Sequence, residues 1–75
     1  IPHMERKRIQ AAIEQKLLRR PEKFGEPLRA SLRSYWKMRA GDYRIVHRVH
    51  GNVVNIFAID HRSVVYDRLL RKLGL

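Results

Sequence analysis

Basic side chains at alternating positions are the first feature of this sequence that could do chemistry. Lys37 and Arg39 are two residues apart, so on a β-strand they share one face of the sheet. Arg44 follows a short turn and begins the next alternating stretch, which brings it close to both. Arginine binds phosphate oxygens through paired hydrogen bonds, and lysine supplies a concentrated charge. Such a group could stabilise the doubly negative phosphorane of a phosphate-transfer reaction.

Three further candidates stand near the C-terminus. Arg62 follows the last predicted strand, and Tyr66 lies one helical turn beyond it. His61 is a candidate general base because imidazole exchanges protons near neutral pH, although an ordinary loop or helix-capping histidine explains it as well. Cleavage of RNA by its own 2′-hydroxyl needs a base, cations around the phosphorane and an acid for the leaving 5′-oxygen. The alternative is a solvated basic sheet face without a ligand.

The composition favours a polyanionic partner. Seventeen Lys and Arg against seven Asp and Glu give the 75-residue chain a net charge of +10, which indicates nucleic acid first and an acidic protein second. A chain of this length has room for one domain, residues 1–75. The absence of cysteine excludes a disulfide scaffold and thiol chemistry and fits a cytoplasmic location. No metal or cofactor motif and no membrane-spanning run is present in the sequence, so none of these is expected.

Hydrophobic periodicity predicts a helix at each end of the chain. Residues Met4 to Arg20 carry an apolar stripe at helical spacing, and Pro21 should end that helix. A second helix should run from about residue 65 to Gly74. Asp60 and Ser63 are the expected N-caps of this second helix.

Between the helices, the sequence predicts a loop followed by three antiparallel strands. Residues 21–34 read as irregular or as one short helical turn, with Phe24 and Leu28 as anchors on the core. Strands are then expected from residue 35, from 43 to 50 and from 53 to 59, separated by turns at 40–42 and at Gly51-Asn52. The last strand is nearly continuously apolar, as in a strand covered on both faces. Trp36 is expected in the core, and Tyr43 either in the core, which its side of the strand favours, or stacked on a nucleic-acid base.

Several short blocks follow one another along residues 4 to 70. They are Gly25-Glu26-Pro27-Leu28, Ser31-Leu32, Tyr35 to Arg39, Gly41 to Val46 and Ile59 to Tyr66. In this order and spacing they resemble the RelE/ParE toxin superfamily of type II toxin–antitoxin systems. The resemblance implies an α+β fold: a small antiparallel sheet with an N-terminal helix packed on one side and a C-terminal helix.

The same resemblance also identifies departures from the family pattern. Family members begin with a strand before the first long helix, so its absence suggests an N-terminal truncation of this chain. Ala30 and Ser34 stand where glycines are common, so the backbone of this loop has fewer conformations available to it. His47 stands where the family usually has an aromatic residue.

For function, the resemblance implies a metal-independent, ribosome-dependent endoribonuclease that cuts mRNA and is neutralised by an acidic antitoxin protein. The catalytic roles would fall on Lys37, Arg39, Arg44, Arg62 and Tyr66, with His61 as a looser correspondence. The alternative is a ParE-like toxin that inhibits DNA gyrase without hydrolysis. Because gyrase-inhibiting members generally lack such a basic set, the sequence favours the nuclease.

Overall fold

The computed structural model describes residues 1–20, 25–32 and 34–74. Helix α1 (His3–Ala12) continues directly into a π-helical turn (Ile13–Leu17). Strand β1 (Glu26–Pro27) and a 3-10 turn (Ala30–Leu32) follow, then strands β2 (Trp36–Ala40), β3 (Tyr43–His50) and β4 (Val53–His61), and finally helix α2 (Val65–Leu73).

The four strands form one antiparallel sheet in the order β1-β2-β3-β4, and the two helices lie on opposite faces of it. Neighbouring residues of β3 show this, because side chains alternate along a strand. Ile45 belongs to the core cluster that contains Ile9 of α1, whereas Val46 belongs to the cluster that contains Leu69 of α2. The chain therefore has the α+β architecture that the sequence predicts, with one helix on each face.

The predicted first helix is present, although its last turns differ from a regular α-helix. The amide of Leu18 donates to the carbonyl of Ile13 at 2.9 Å, an i to i+5 hydrogen bond. This wider turn ends with Leu17 fully buried and Leu18 exposed, so the helix stops short of Arg20. Pro21, the expected stop, lies outside the described residues.

The region predicted to be irregular contributes an additional strand. The amide of Leu28 donates to the carbonyl of Tyr35 at 2.9 Å beside the short β1–β2 ladder. Leu28 packs against the α2 core cluster as expected, while Phe24 lies outside the described residues. Ala30 adopts a left-handed φ of 56°, a conformation that favours glycine over residues with a side chain.

Strand β4 is covered on both faces over only part of its length. Ile59 packs against the α1 core cluster and Ala58 against the α2 core cluster, whereas Val53 and Ile56 are 56% and 40% exposed. The strand forms the edge of the sheet next to β3, and a bulge at Phe57 shifts the pairing, since Val46 faces Ala58 and His47 faces Ile56. The continuous apolar run therefore indicated the coverage of Ala58 and Ile59 correctly and that of Val53 and Ile56 incorrectly.

The turn and cap positions also differ in detail from the prediction. Ala40 pairs with Tyr43, so the first hairpin turn is Gly41-Asp42 alone. The N-cap of α2 is Val64, without a side-chain cap, and the prediction of Asp60 or Ser63 was wrong because β4 and the following turn take up both.

The two aromatic residues expected in the core, Trp36 and Tyr43, are both only half-buried. Tyr43 packs against the α1 core cluster. Within the described ranges, no helix is long and apolar enough to cross a membrane.

Candidate functional site

The register of β2 and β3 brings the three basic candidates together. Arg39 lies directly opposite Arg44, and Lys37, opposite Val46, lies on the same face two residues away. With Glu26 of β1 they line an open cleft of about 240 Å³, which we call the site cleft. It lies on the face of the sheet that α2 partly covers.

Arg44 is held in place by the hairpin turn. Its side chain is 8% exposed, and Nη1 donates to the carbonyl oxygens of Gly41 at 3.0 Å and Tyr43 at 2.9 Å. Two hydrogen bonds from one buried guanidinium nitrogen fix its orientation before any ligand arrives. Because these bonds use Nη1, the remaining donors of Arg44 can serve a ligand in the site cleft.

Lys37 and Tyr66 form a second fixed pair at the α2 side of the site cleft. The Lys37 Nζ lies 5.9 Å from the centroid of the Tyr66 ring, within the range of a cation–π contact. Tyr66 is half-buried and packs against the cluster that contains Val65 and Leu69. The first turn of α2 thus supplies an aromatic ring directly beside the basic strand.

Glu26 is a site residue that sequence reasoning missed. It lies opposite Lys37 in the β1–β2 ladder, is exposed, and is the carboxylate among the lining residues of the site cleft. A carboxylate at the edge of such a cleft can act as a general base for a ligand bound there. Its position in the Gly25-Glu26-Pro27-Leu28 block was visible in the sequence, but the block carries no strand periodicity that would place it beside Lys37.

His61 is not brought into the site cleft. It pairs with Tyr43 across β3 and β4, and the two rings meet edge to face at 5.7 Å, on the face that α1 covers. The amide of Ser63 donates to His61 Nδ1 at 3.2 Å, and the Ser63 Oγ lies 2.9 Å from the same atom. These contacts give His61 a structural role in the turn after β4.

Arg62 lies near the cleft without lining it. It precedes α2, which begins at Val65, so the helical spacing that related it to Tyr66 does not apply. Its amide donates to the Asp42 carbonyl at 2.8 Å, which holds this exposed residue beside the first hairpin turn. Arg62 is therefore placed to reach a ligand that extends past the turn.

A carboxylate also lies across the sheet from Arg44. Asp60 of β4 pairs with Arg44, yet its Oδ1 accepts a hydrogen bond from Arg68 Nη1 of α2 at 2.7 Å. The positive charge of Arg68 therefore offsets this carboxylate. Among the described residues, no group of three or more His, Cys, Asp or Glu side chains could hold a metal ion.

His47 is a buried polar residue on the opposite face from the site cleft. It is fully buried, its Nδ1 lies 3.4 Å from the Ile45 carbonyl, and its Nε2 has no partner in the described part of the chain. Burial lowers the pKa of His47 from the usual 6.5, with the Ile45 carbonyl acting in the opposite direction. His47 is therefore a neutral imidazole inside the protein at neutral pH.

Comparison with known proteins gives two consistent matches. Residues 2–66 match the sequence model of a family described as ParE toxin of the type II toxin–antitoxin system, parDE. The chain is also 40% identical over 55 residues to Toxin RelG of Mycobacterium tuberculosis, an alignment that covers 69% of this chain. The aligned part spans 62% of the length of that relative.

Proposed function

The chain belongs to the ParE toxin family of type II toxin–antitoxin systems, and we propose that it is a ribosome-dependent endoribonuclease that cuts mRNA. The observation that carries the proposal is the site cleft. It places Lys37, Arg39 and Arg44 around one volume, with the carboxylate of Glu26 between β1 and β2 and the Tyr66 ring beside Lys37. Cations, a proton acceptor and a hydroxyl are the groups that RNA self-cleavage requires.

In the proposed reaction the 2′-oxygen attacks the adjacent phosphorus while the bond from phosphorus to the 5′-oxygen breaks. Glu26 takes the 2′-proton, and the cations of the cleft stabilise the phosphorane. The leaving 5′-oxygen takes up a proton, for which the Tyr66 hydroxyl is a candidate. The products are a 2′,3′-cyclic phosphate and a 5′-hydroxyl, so no metal or cofactor is needed to balance the step.

We propose different roles for the remaining candidates because they lie at different places around the site cleft. Glu26 replaces His61 as the proposed base because His61 packs on Tyr43 on the other face of the sheet. Arg62, held beside the turn that carries Arg44, is proposed to contact a phosphate next to the cleaved one. Tyr66 can stack on a base as well as transfer a proton, and the two roles are separable by mutation.

The proposed partners follow from charge and family. A net charge of +10 favours docking on ribosomal RNA, where the mRNA is presented in the decoding site. A family in which toxins are paired with antitoxins implies a cognate antitoxin, and an acidic protein segment would complement this surface. A cytoplasmic location, where ribosomes and mRNA are found, is part of the same proposal.

The test is an in vitro translation reaction in which mRNA cuts are mapped by primer extension. The wild-type protein should cut mRNA only when ribosomes are present, and Arg39→Ala should reduce the rate by about 10²–10³. Arg71→Ala is a matched control because Arg71 is an exposed arginine on α2 that does not line the site cleft. An absence of cuts with the wild-type protein would contradict the nuclease, and equal rates for Arg39→Ala and Arg71→Ala would remove Arg39 from its active site.

Inhibition of DNA gyrase is the second candidate, favoured by the match to a ParE family model. Such inhibition involves no phosphorane and does not need the charges of the site cleft to act together. It predicts that the protein blocks DNA supercoiling by gyrase and that Arg39→Ala blocks it equally well. A protein that cuts mRNA and leaves supercoiling unchanged excludes this candidate.

A further inference from the structure

Two more clefts adjoin the site cleft and share residues with it. The edge cleft, of about 120 Å³, is lined by Lys16, Glu26, Lys37, Met38 and Arg39. The helix cleft, of about 260 Å³, is lined by Arg8, Ala11, Ala12, Gln15, Lys16, Arg39, Ala40 and Gly41. Arg39 borders all three clefts and Lys16 borders two of them, so the clefts adjoin one another, and we call the three together the groove.

This groove passes around the edge of the sheet from one face to the other. Strand β1 pairs only with Trp36 and Lys37, so within the described residues the rest of β2 has no strand on its outer side. Arg39 lies at this open part of the edge, between the face of the site cleft and the face covered by α1. A flexible ligand that fills the site cleft can therefore continue over the edge towards α1.

The first hairpin turn brings Arg8 to the far end of the groove. Gly41 has a φ of 63°, and a Cβ at this position would lie 3.1 Å from the Nη1 of Arg8. The carbonyl of the same glycine accepts a hydrogen bond from Arg44. One turn therefore packs against a guanidinium of α1 and binds a second guanidinium that belongs to the site cleft. The ion pair of Arg8 with Glu5, at 3.7 Å and largely exposed, is weak and leaves Arg8 able to bind another anion.

The π-helical turn positions the middle of the groove. It covers Ile13–Leu17, and the exposed Lys16 within it borders both the edge cleft and the helix cleft. Such turns change the angular position of the residues that follow and occur often at functional sites. Lys16 therefore lies between the cations of the site cleft and Arg8.

We propose that this groove binds single-stranded RNA, with Arg8 and Lys16 contacting phosphates that flank the one in the site cleft. The inference deepens the proposed nuclease function and rests on it for the identity of the ligand. The groove is lined by five cations and, among the described residues, by a single carboxylate, that of Glu26. This charge suits a chain of phosphates, and single-stranded RNA is flexible enough to turn around a strand edge.

The experiment measures binding of fluorescein-labelled 2′-O-methyl oligoribonucleotides, which cannot be cleaved by 2′-attack, over a series of salt concentrations. One probe has about three nucleotides and the other about nine. Each lost phosphate contact should reduce the slope of log affinity against log salt by about 0.7 for a single strand. Arg8→Ala and Lys16→Ala should each show this reduction with the longer probe and little change with the shorter one.

Arg6→Ala is the matched control. It removes the same charge from the same helix, but Arg6 lies two residues from Arg8, on another side of α1, and lines none of the three clefts. Its slope with the longer probe should equal that of the wild-type protein. When the salt concentration rises roughly fourfold, the affinity of every protein for the longer probe should fall. The factor by which it falls should be about 2.6 times smaller for Arg8→Ala or Lys16→Ala than for this control.

Equal slopes for Arg8→Ala, Lys16→Ala and Arg6→Ala would overturn the groove, whether or not the protein cuts mRNA. Arg8 and Lys16 give independent measurements, so one variant decides the question if the other fails to fold. Groove-dependent binding without ribosome-dependent cleavage would instead overturn the nuclease and leave the RNA groove standing. The two proposals therefore fail separately.

Discussion

Acid should destabilise this protein through His47, the buried imidazole whose Nε2 has no partner in the described part of the chain. Burial lowers its pKa from the usual 6.5, so the folded protein holds this side chain neutral at a pH where the unfolded chain protonates it. Wherever the unfolded state binds more protons, the free energy of unfolding rises with pH. His47 therefore makes the protein lose stability as pH falls below 6.5 towards the lowered pKa.

The number of protons that separate the two states sets an upper limit on this effect. Within that pH window the loss is at most about 1.4 kcal/mol for each pH unit, because the folded and unfolded forms of His47 differ by no more than one proton. Above the window His47 contributes no pH dependence. A change of about 1 kcal/mol should move the melting temperature by roughly 4–8 °C in a domain of this size.

Replacing His47 by leucine tests both the titration and the unpaired atom. The variant His47→Leu removes the unpaired Nε2 at nearly constant volume and gives up only a 3.4 Å contact with the Ile45 carbonyl. An unpaired buried polar atom destabilises a protein by about 1–3 kcal/mol. Removing it should therefore stabilise the protein, but imperfect packing of the leucine side chain offsets part of this gain. We expect the variant to gain about 1 kcal/mol near neutral pH.

The assay is urea denaturation of wild type, His47→Leu and His50→Gln at about pH 7 and at about pH 5. His50 is exposed in the second hairpin and serves as the control, since its loss should leave the pH dependence almost unchanged. The difference between wild type and His47→Leu isolates the buried histidine from the other titrating groups. A His47→Leu protein that loses as much stability on acidification as the wild type would refute the reasoning.

Three further predictions concern the site and its supporting loop. Arg39→Ala should lower cleavage by about 10²–10³ with stability within about 0.5 kcal/mol of wild type, whereas Arg44→Ala should also cost about 1–3 kcal/mol because two carbonyls lose their donor. Equal stability of the two variants in urea would contradict this difference. Tyr66→Phe keeps the ring beside Lys37, so lost cleavage at an unchanged melting temperature assigns proton transfer to the hydroxyl, and retained cleavage assigns stacking. Tyr66→Ala should lower the melting temperature, and an Ala variant as stable and active as wild type would remove Tyr66 from the site. Ala30→Gly should stabilise the protein by about 1 kcal/mol because it relieves a φ of 56°, and calorimetry showing no gain would count against strain in that loop.

The parts of the fold that depend on local sequence were predictable. The Gly51-Asn52 turn, the alternation along β3 and the apolar stripe of α2 each depend on residues close together in the chain, and the structure confirms all three. Strand β1 has only two residues and no periodicity of its own. It exists because the edge of β2 offers it hydrogen bonds, and pairing of this kind leaves no mark in the pattern of its own two residues.

Among the site residues too, those whose position depends on nearby residues were predictable, and those whose position depends on the rest of the fold were not. Lys37, Arg39 and Arg44 were placed together correctly because alternation and a short turn determine their face. His61 adjoins Arg62 in the sequence and looked equally suited to the site. Strand β4 continues to His61 instead of ending at Ile59, so alternation puts this ring opposite Tyr43, on the other face from Arg44. Because β4 ends two residues later than the sequence predicts, the His61 ring lies on the opposite face of the sheet from the site cleft.

Helix α2 contributes to the site cleft through polar contacts as well as through its apolar face. Asp60 lies opposite Arg44 and would offset its charge, but Arg68 of α2 binds this carboxylate at 2.7 Å. The Arg68 side chain is 62% exposed, so the pair adds little to stability, and its larger effect is to leave Arg44 available to a phosphate. Lys72 donates to the Phe57 carbonyl at the β4 bulge at 2.8 Å and ties the other end of the helix to the same strand. Tyr66, in the first turn of α2, packs against the cluster that contains Val65 and Leu69, and this packing keeps its ring beside Lys37. A defined ring position is what the proposed stabilisation of a phosphorane would require.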